Sequence, residues 1–408
     1  MRAYERLLNY VKVYTTSDPV SDTHPTTARQ FDLARMLVKE LQDLGLADAH
    51  VDEHCYVYAT LPATPGHEAA KGLGFIAHMD TSPDASGKDI HPQIIKDYQG
   101  QKITLNEDKE LYLDPEQYPQ LLQLIHHDLI TTDGTTLLGA DDKAGIAIIM
   151  QMVEYLHTHP EFKHNDIQIA FTPDEEVGGG TDHFNVEKFG AQFAYTLDGD
   201  TEGEIQYENF NACKADFEIT GFAVHPGSSK DTMINACLVA AEINNMLPGL
   251  EIPRETEDYE GFYHLTGMSG DVAKAELHYI VRDHDKNLFE ARKETLRHIE
   301  KNLNEKWGEG TVKLMITDQY QNMAEIIAGC MHLIENAKKA CENAGVAPLV
   351  LPIRGGTDGC QLSFMGLPCP NLGTGGHAFH GPYEHITAEG MDKAVDIAVE
   401  LVKLYAEM

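Results

Sequence analysis

Five groups of residues in this 408-residue chain have the types and spacing to hold metal ions. His78 and Asp80 form a His-x-Asp at the end of the apolar run GLGFIAHMD. Residues two apart on a strand share a side, so this carboxylate can accept a hydrogen bond from the imidazole nitrogen facing away from a metal. Asp141 and Asp142 stand in GADDKAG, at a loop entering a helix. Glu175 and Glu176 follow an apolar strand in TPDEEVGGG, where two adjacent carboxylates repel unless a cation or a shared proton intervenes. Asp198 lies in YTLDGD, and His377 and His380 lie in the glycine-rich GTGGHAFHGPYE. Each group alone has an ordinary reading: a surface hydrogen bond, a helix cap, a solvated acidic turn, an Asp-Gly turn, a structural loop histidine. Residue types do not choose between His377 and His380. The weight lies in their agreement, because two imidazoles and three carboxylates suit Zn²⁺, with Mn²⁺ or Co²⁺ compatible. Glu175 is then left beside a metal-binding neighbour, where a general base is needed.

The elements that must position these residues alternate in type. Stretch 25–45 has Phe31, Ala34, Leu37 and Leu41 on one face and predicts a helix. CYVYATLPA, then GLGFIAHMD, DIQIAFTPDEE and AQFAYTLDGD, predict strands, the last three ending in His, Asp or Glu. Ile146, Ile149, Val153 and Leu156 predict a helix over 139–159. Alternating strands and helices imply an α/β sheet with helices on both faces, and such sheets place ligands at the carboxyl ends of strands. From about 209 to 320 the order becomes strand–helix–strand–strand–helix–strand, a split βαβ unit of about 110 residues inserted into the first domain. The expected division is therefore 1–208 and 321–408 for the catalytic domain and 209–320 for the insertion. A helix near 325–344, strands in APLVLPI and LPCPNLG, and a helix from about 387 complete the chain. Stretch 84–127 reads as an irregular, charged loop or hairpin.

Composition excludes several function classes. Lys plus Arg number 31 against 65 Asp plus Glu, a formal net charge of −34. That balance opposes nucleic-acid binding through a basic patch and docking on anionic lipid. An apolar fraction of 42% supports a buried core, and no run of about 18 apolar residues predicts a membrane span. The start, MRAYERLLNYVKVYTTSD, reads as a short amphipathic helix rather than a secretion signal. Seven cysteines without a CxxC pair read as reduced thiols in a cytoplasmic protein.

The motifs resemble, in order and nearly in spacing, those of the di-zinc exopeptidase family that contains carboxypeptidase G and succinyl-diaminopimelate desuccinylase. The likeness covers essentially the whole chain. It runs from YVKVYTTSD through IAHMDTSPD, LLGADDKAG, FTPDEEVGGG, YTLDGD and VHPGSSKDTMINA to IRGGTDG and FHGPYEH. The last motif and the HPG point to the branch of tripeptide aminopeptidases. The resemblance implies a zinc-exopeptidase-like α/β catalytic domain, a mixed sheet with helices on both faces, carrying a ferredoxin-like lid through which the family often forms homodimers. It implies two Zn²⁺ per chain, one held by His78 and Asp198, the other by Glu176 and His380, with Asp141 bridging both. Family members often have a non-proline cis peptide after the bridging Asp. Asp80 would orient His78, and Glu175 would be the general base on a bridging water. His225 would reach toward the scissile carbonyl from the lid. Asn235, Arg282 and Arg354 resemble residues that bind polar groups of a small peptide, its terminal carboxylate included. Two departures stand out: Cys55 and Asp231 occupy positions where glycine is usual, so the turn at Cys55 is expected to differ locally. The competing readings are a dipeptidase, carboxypeptidase or N-acyl amino acid deacylase on the same metals, or a non-catalytic scaffold, which the intact Glu175 opposes.

Overall fold

The computed structural model describes residues 1–68 and 72–407. The chain forms two compact units: one of residues 1–207, 325–351 and 357–408, the other of residues 208–324 and 352–356. Segment 352–356, which carries Arg354, thus belongs with the second unit rather than with the chain that follows it.

The first unit is built on an eight-stranded mixed sheet. Its spatial order is His50–Val51, Val57–Leu61, Ile167–Thr172, Leu73–His78, Phe193–Gly199, Asn371–Gly373, Glu204–Gln206 and Leu349–Val350. The three central strands, Ile167–Thr172, Leu73–His78 and Phe193–Gly199, run parallel. Leu73–His78 is buried along its whole length, as a strand covered on both faces must be, which is why it reads as one apolar run. Helices Ala140–Thr158, Ala388–Ala406 and Ala3–Tyr10 pack together on one side, and the first also packs on Leu73–His78. Tyr56, Tyr58, Ile76, Phe184, Phe189 and Leu362 form a further apolar cluster. A small second sheet, ordered Gly376–His377, His385–Thr387, Leu129–Thr131, Gln93–Ile95, braces the loops that carry His380 and Asp141.

Several elements are shorter than their sequence patterns. The helix expected over 25–45 spans Gln30–Asp43. The one expected near 325–344 is broken into Ala324–Ile327, a 3₁₀ turn Ala328–Cys330 and His332–Asn343; Gly329, a poor helix former, sits in the break. APLVLPI supplies only Leu349–Val350. Stretch 84–127 is more ordered than a loop: a hairpin Ile103–Asn106/Leu111–Leu113 and a 3₁₀ turn Pro119–Leu124 enclose a cluster of Tyr98, Leu105, Leu113, Leu121 and Leu124.

The second unit is a four-stranded antiparallel sheet ordered Phe262–Gly270, Lys274–Asp283, Asn211–Thr220, Val312–Tyr320. With helices Ala236–Met246 and Lys286–Trp307 this is the ferredoxin-like arrangement of a split βαβ unit. Phe217, Ile219, Val239, Ile243, Leu277, Leu296 and Ile299 form its core. Among the described residues, no helix is long and apolar enough to cross a membrane. All seven cysteines are free thiols.

Candidate metal centre

Three parallel strands deliver the ligand candidates to one rim. His78 is the last residue of its strand, Asp198 lies one residue before the end of its own, and Glu175 and Glu176 form a 3₁₀ turn just after Ile167–Thr172. Asp174 starts that turn at φ 57°, held there by its carboxylate, which accepts from the Thr26 N–H and hydroxyl and from Gln30. Asp141 enters the helix Ala140–Thr158, and the Asp141–Asp142 peptide is cis.

These side chains converge. The two oxygens of Asp141 part company: Oδ1 lies 2.9 Å from His78 Nε2 and Oδ2 lies 3.1 Å from His380 Nε2. His78 Nε2 is also 3.3 Å from Asp198 Oδ1, and His380 Nε2 is 3.1 Å from Glu176 Oε2. Ligand atoms bound tetrahedrally at about 2.0–2.1 Å stand about 3.3 Å apart, so these are the spacings of neighbours around a common ion. Donor atoms of His78, Glu175 and Asp198, and of His78, Asp141 and Glu176, each lie within 4.8 Å of one another. Glu175 therefore reaches the same space as the residues it adjoins.

A second set of contacts fixes the first. Asp80 stands 3.4 Å from His78 Nδ1, and its two oxygens accept the N–H groups of Glu175 and Glu176. One carboxylate thus anchors both the imidazole and the acidic turn. Asp142 turns away from the rim and accepts the N–H of His78 and of Gly145. The choice between the two loop histidines is made by packing: His377 is buried 5.2 Å from the His385 ring, and burial lowers it to about 4, whereas His380 reaches Asp141 and Glu176.

The electrostatics call for a cation. Burial, then the charge of Asp141, pushes Glu176 up to about 11, and burial raises Asp198 to about 6. Glu175 is raised well above the carboxylate range by burial and Asp198. Burial would keep His78 neutral, but Asp198, Asp141 and Asp80 together raise it instead. Among the described residues, Glu176 Oε1 is buried without a hydrogen-bond partner. An orphaned, buried carboxyl oxygen among crowded carboxylates is what a divalent-ion site presents, so the donor set fits the expected metals.

The model of peptidase family M20/M25/M40 matches residues 138–404. A peptidase T of Alkaliphilus oremlandii is 52% identical over 404 residues, covering 99% of each chain. The chain belongs to peptidase family M20/M25/M40. Within this M20 peptidase the fold agrees with two solved structures. One is the aminopeptidase PepT of Bacillus cereus, with TM-score 0.79, 24% identity and coverage of 99% and 98% of the two chains. The other is a tripeptidase of Staphylococcus aureus, with TM-score 0.79, 20% identity and coverage of 100% and 98%.

The remaining expected residues lie in the second unit of the M20 chain and have partners there. His225 caps a 3₁₀ turn, its Nδ1 accepting from the Gly227 N–H. Asn235 caps the helix Ala236–Met246 through the Leu238 N–H. Arg282 is buried, donates to the carbonyls of Cys213 and Val281 and to Gln319, and lies over the Tyr320 ring. Arg354 donates to the carbonyls of Thr256, Asp258 and Glu260 and covers the Phe210 ring. Both arginines are thus committed to backbone oxygens of their own unit, which the appearance of an arginine in a motif does not reveal. The turn at Cys55 keeps its glycine-like form: Cys55 has φ 71°, and Asp231 has φ 60°. Sequence reasoning passed over Asp174, Asp358 and Glu384, all buried carboxylates whose partners are distant in sequence.

Proposed function

We propose that this M20 peptidase is a cytoplasmic aminopeptidase that removes the N-terminal residue from tripeptides, using two Zn²⁺ ions. His78 and Asp198 would hold one ion, Glu176 and His380 the other, and Asp141 would bridge them. The observation that carries this reading is the division of the Asp141 oxygens between His78 and His380. The tripeptidase and peptidase T relatives support the substrate class. The free thiols support a reducing compartment.

Bound divalent ions supply Lewis acidity to a peptide carbonyl and acidify a water toward a pKa of about 7. The protein's part is proton handling and alignment. Glu175 would take the proton of the attacking water as the new C–O bond forms at the carbonyl carbon, and would then give it to the amine nitrogen as the peptide C–N bond breaks. Burial, beside Asp198, raises its proton affinity in the metal-free site, and bound cations would oppose that shift. Asp80 holds the Glu175 and Glu176 amides and the far side of His78, so base and ligands share one anchor. His225, Asn235, Arg282 and Arg354 complete the proposal as substrate-recognition residues. In the ligand-free chain the guanidinium groups of Arg282 and Arg354 are held by carbonyls of their own unit, which fixes where they stand.

The experiment pairs metal analysis with a substrate panel. Two ions per chain and N-terminal release from tripeptides, lost with chelator and restored by zinc, are expected. Faster turnover of dipeptides or N-acyl amino acids overturns the substrate class. His380→Ala should lower the metal content toward one ion per chain; two retained ions overturn its assignment. A homodimer through the second unit belongs to the same proposal, supported by the strand Phe262–Gly270 at the edge of its sheet. Light scattering that gives the mass of one chain overturns it.

A further inference from the structure

The loop before the helix Ala140–Thr158 is held by a side chain from the far end of the chain. Gly139 occupies the N-cap position at φ 76° and offers no side chain to cap the helix. Glu384 supplies what is missing. It is 1% exposed; its Oε2 accepts the N–H of Leu138 at 2.6 Å and of Gly139 at 2.9 Å, and its Oε1 accepts the N–H of Asp141 at 3.0 Å. Three donors of the 138–141 loop thus converge on one carboxylate, which follows His380 by four residues. The strand beginning at His385 is paired with Leu129–Thr131, so Glu384 is delivered from a braced position.

Resting on the two-ion reading above, we infer that Glu384 is a positioning residue that sets the separation of the two metal sites. It touches no ligand atom. It fixes the backbone from which Asp141 projects, and it does so from the loop that carries His380. The Asp141 carboxylate lies between His78 and His380 while its own N–H and those of Leu138 and Gly139 point at Glu384. A cap by a local Ser or Asp would satisfy the same donors without tying the two loops together. The tie is the functional content of placing the acceptor at 384.

The test uses the full-length protein, stripped of metal and titrated with Zn²⁺ against a chromogenic chelator. Glu384→Gln keeps the volume but places an amide where the loop needs acceptors. Loss of such an outer contact typically weakens metal binding about 10–100-fold, and that loss is expected here. Hydrogen exchange of the metal-free variant should rise in peptides covering 137–142. Glu389→Gln is the control: Glu389 accepts the Asp128 N–H nearby but holds no ligand loop, so it should keep wild-type affinity. Wild-type affinity in the Glu384→Gln protein overturns the inference, whatever its exchange. So does an equal loss of affinity in the Glu389 control, since that would be general damage. A wild-type protein that takes up no ion overturns the two-ion reading instead; unchanged exchange at 137–142 then overturns the loop contact by itself.

Discussion

The second unit and the rim of the first unit's central sheet treat buried charge differently, although the first unit pairs its buried Arg6 with Glu40 and Glu154. In the second, buried cations meet acceptors. Arg292 donates to Asp283 at 2.8 Å and also to Glu251, Lys293 reaches Glu290 and Asp318, and Arg282 is satisfied by carbonyls. In the first, Asp80, Asp141, Glu175, Glu176 and Asp198 crowd around two imidazoles. Lys143, fully buried nearby, spends its ammonium on the Val13 carbonyl, and burial lowers it to about 7. A paired buried charge is structural: its partner offsets the desolvation. An anionic cluster with no lysine or arginine to pair it holds its carboxylates only through bound protons or a bound cation, which is the pattern of a functional site. The contrast therefore locates function without reference to any relative.

The largest effect should come from removing one proton acceptor from the anionic cluster. Glu175→Gln is isosteric and lies beside the proposed ligands rather than among them. We expect kcat to fall about 10³-fold, equivalent to about 4 kcal/mol, with metal content unchanged. Steady-state rates and metal analysis on the same sample check this. Near-normal turnover would remove Glu175 from the chemistry and leave the cluster as a binding site only.

The matching change in the second unit should act on stability instead. Arg292→Ala leaves Asp283, which is 1% exposed, without its cation. Breaking a buried pair in this way costs about 3 kcal/mol or more. Urea unfolding should show that loss while the metal content of the folded protein stays at the wild-type value. If metal is lost as well, the two units are not independent in the way their charge patterns imply.

This division also explains what could be read from the residues alone. The strand-end carboxylates were legible because a continuous apolar run that breaks into His, Asp or Glu has little reason to do so except at a ligand-facing rim. The split βαβ order was legible from its alternating patterns. What stayed hidden depends on partners far along the chain. Glu384 and Asp174 act on backbone N–H groups, and no residue type marks those as recipients. The carbonyl partners of Arg282 and Arg354 are likewise invisible in the sequence, because any residue type provides a backbone oxygen. His377 and His380, three apart in one loop, became distinguishable only when one packed beside His385 and the other reached Asp141.

That last pair yields a smaller, pH-dependent test. Burial depresses His377 from 6.5 to about 4. Between those values the unfolded chain holds a proton that the folded chain does not, so acidification through this window costs stability. The cost is about 1.4 kcal/mol per pH unit from this one group. His377→Gln should remove that contribution, making the fall in stability from pH 6.5 toward 4 shallower than in the wild type. Denaturant unfolding of the metal-free proteins across this range checks the difference between the two slopes, which cancels the carboxylates common to both. Equal slopes would mean that His377 is not held neutral by its packing.

The smallest effect separates two aspartates with the same backbone conformation, one in each unit. Asp174 (φ 57°) and Asp231 (φ 60°) both occupy the left-handed region, which is unfavourable for a residue with a Cβ. Asp174 is buried and repays the strain through its contacts with Thr26 and Gln30. Asp231 is exposed, in the motif HPGSSKD. Asp231→Gly should therefore stabilise the protein by about 0.5 kcal/mol, because glycine adopts this conformation without a steric penalty. Asp174→Gly should destabilise it, since relief of the same strain removes a buried acceptor from three donors. Melting curves of the two variants are expected to shift in opposite directions. Shifts of the same sign would show that left-handed geometry, rather than what the carboxylate holds, governs both positions.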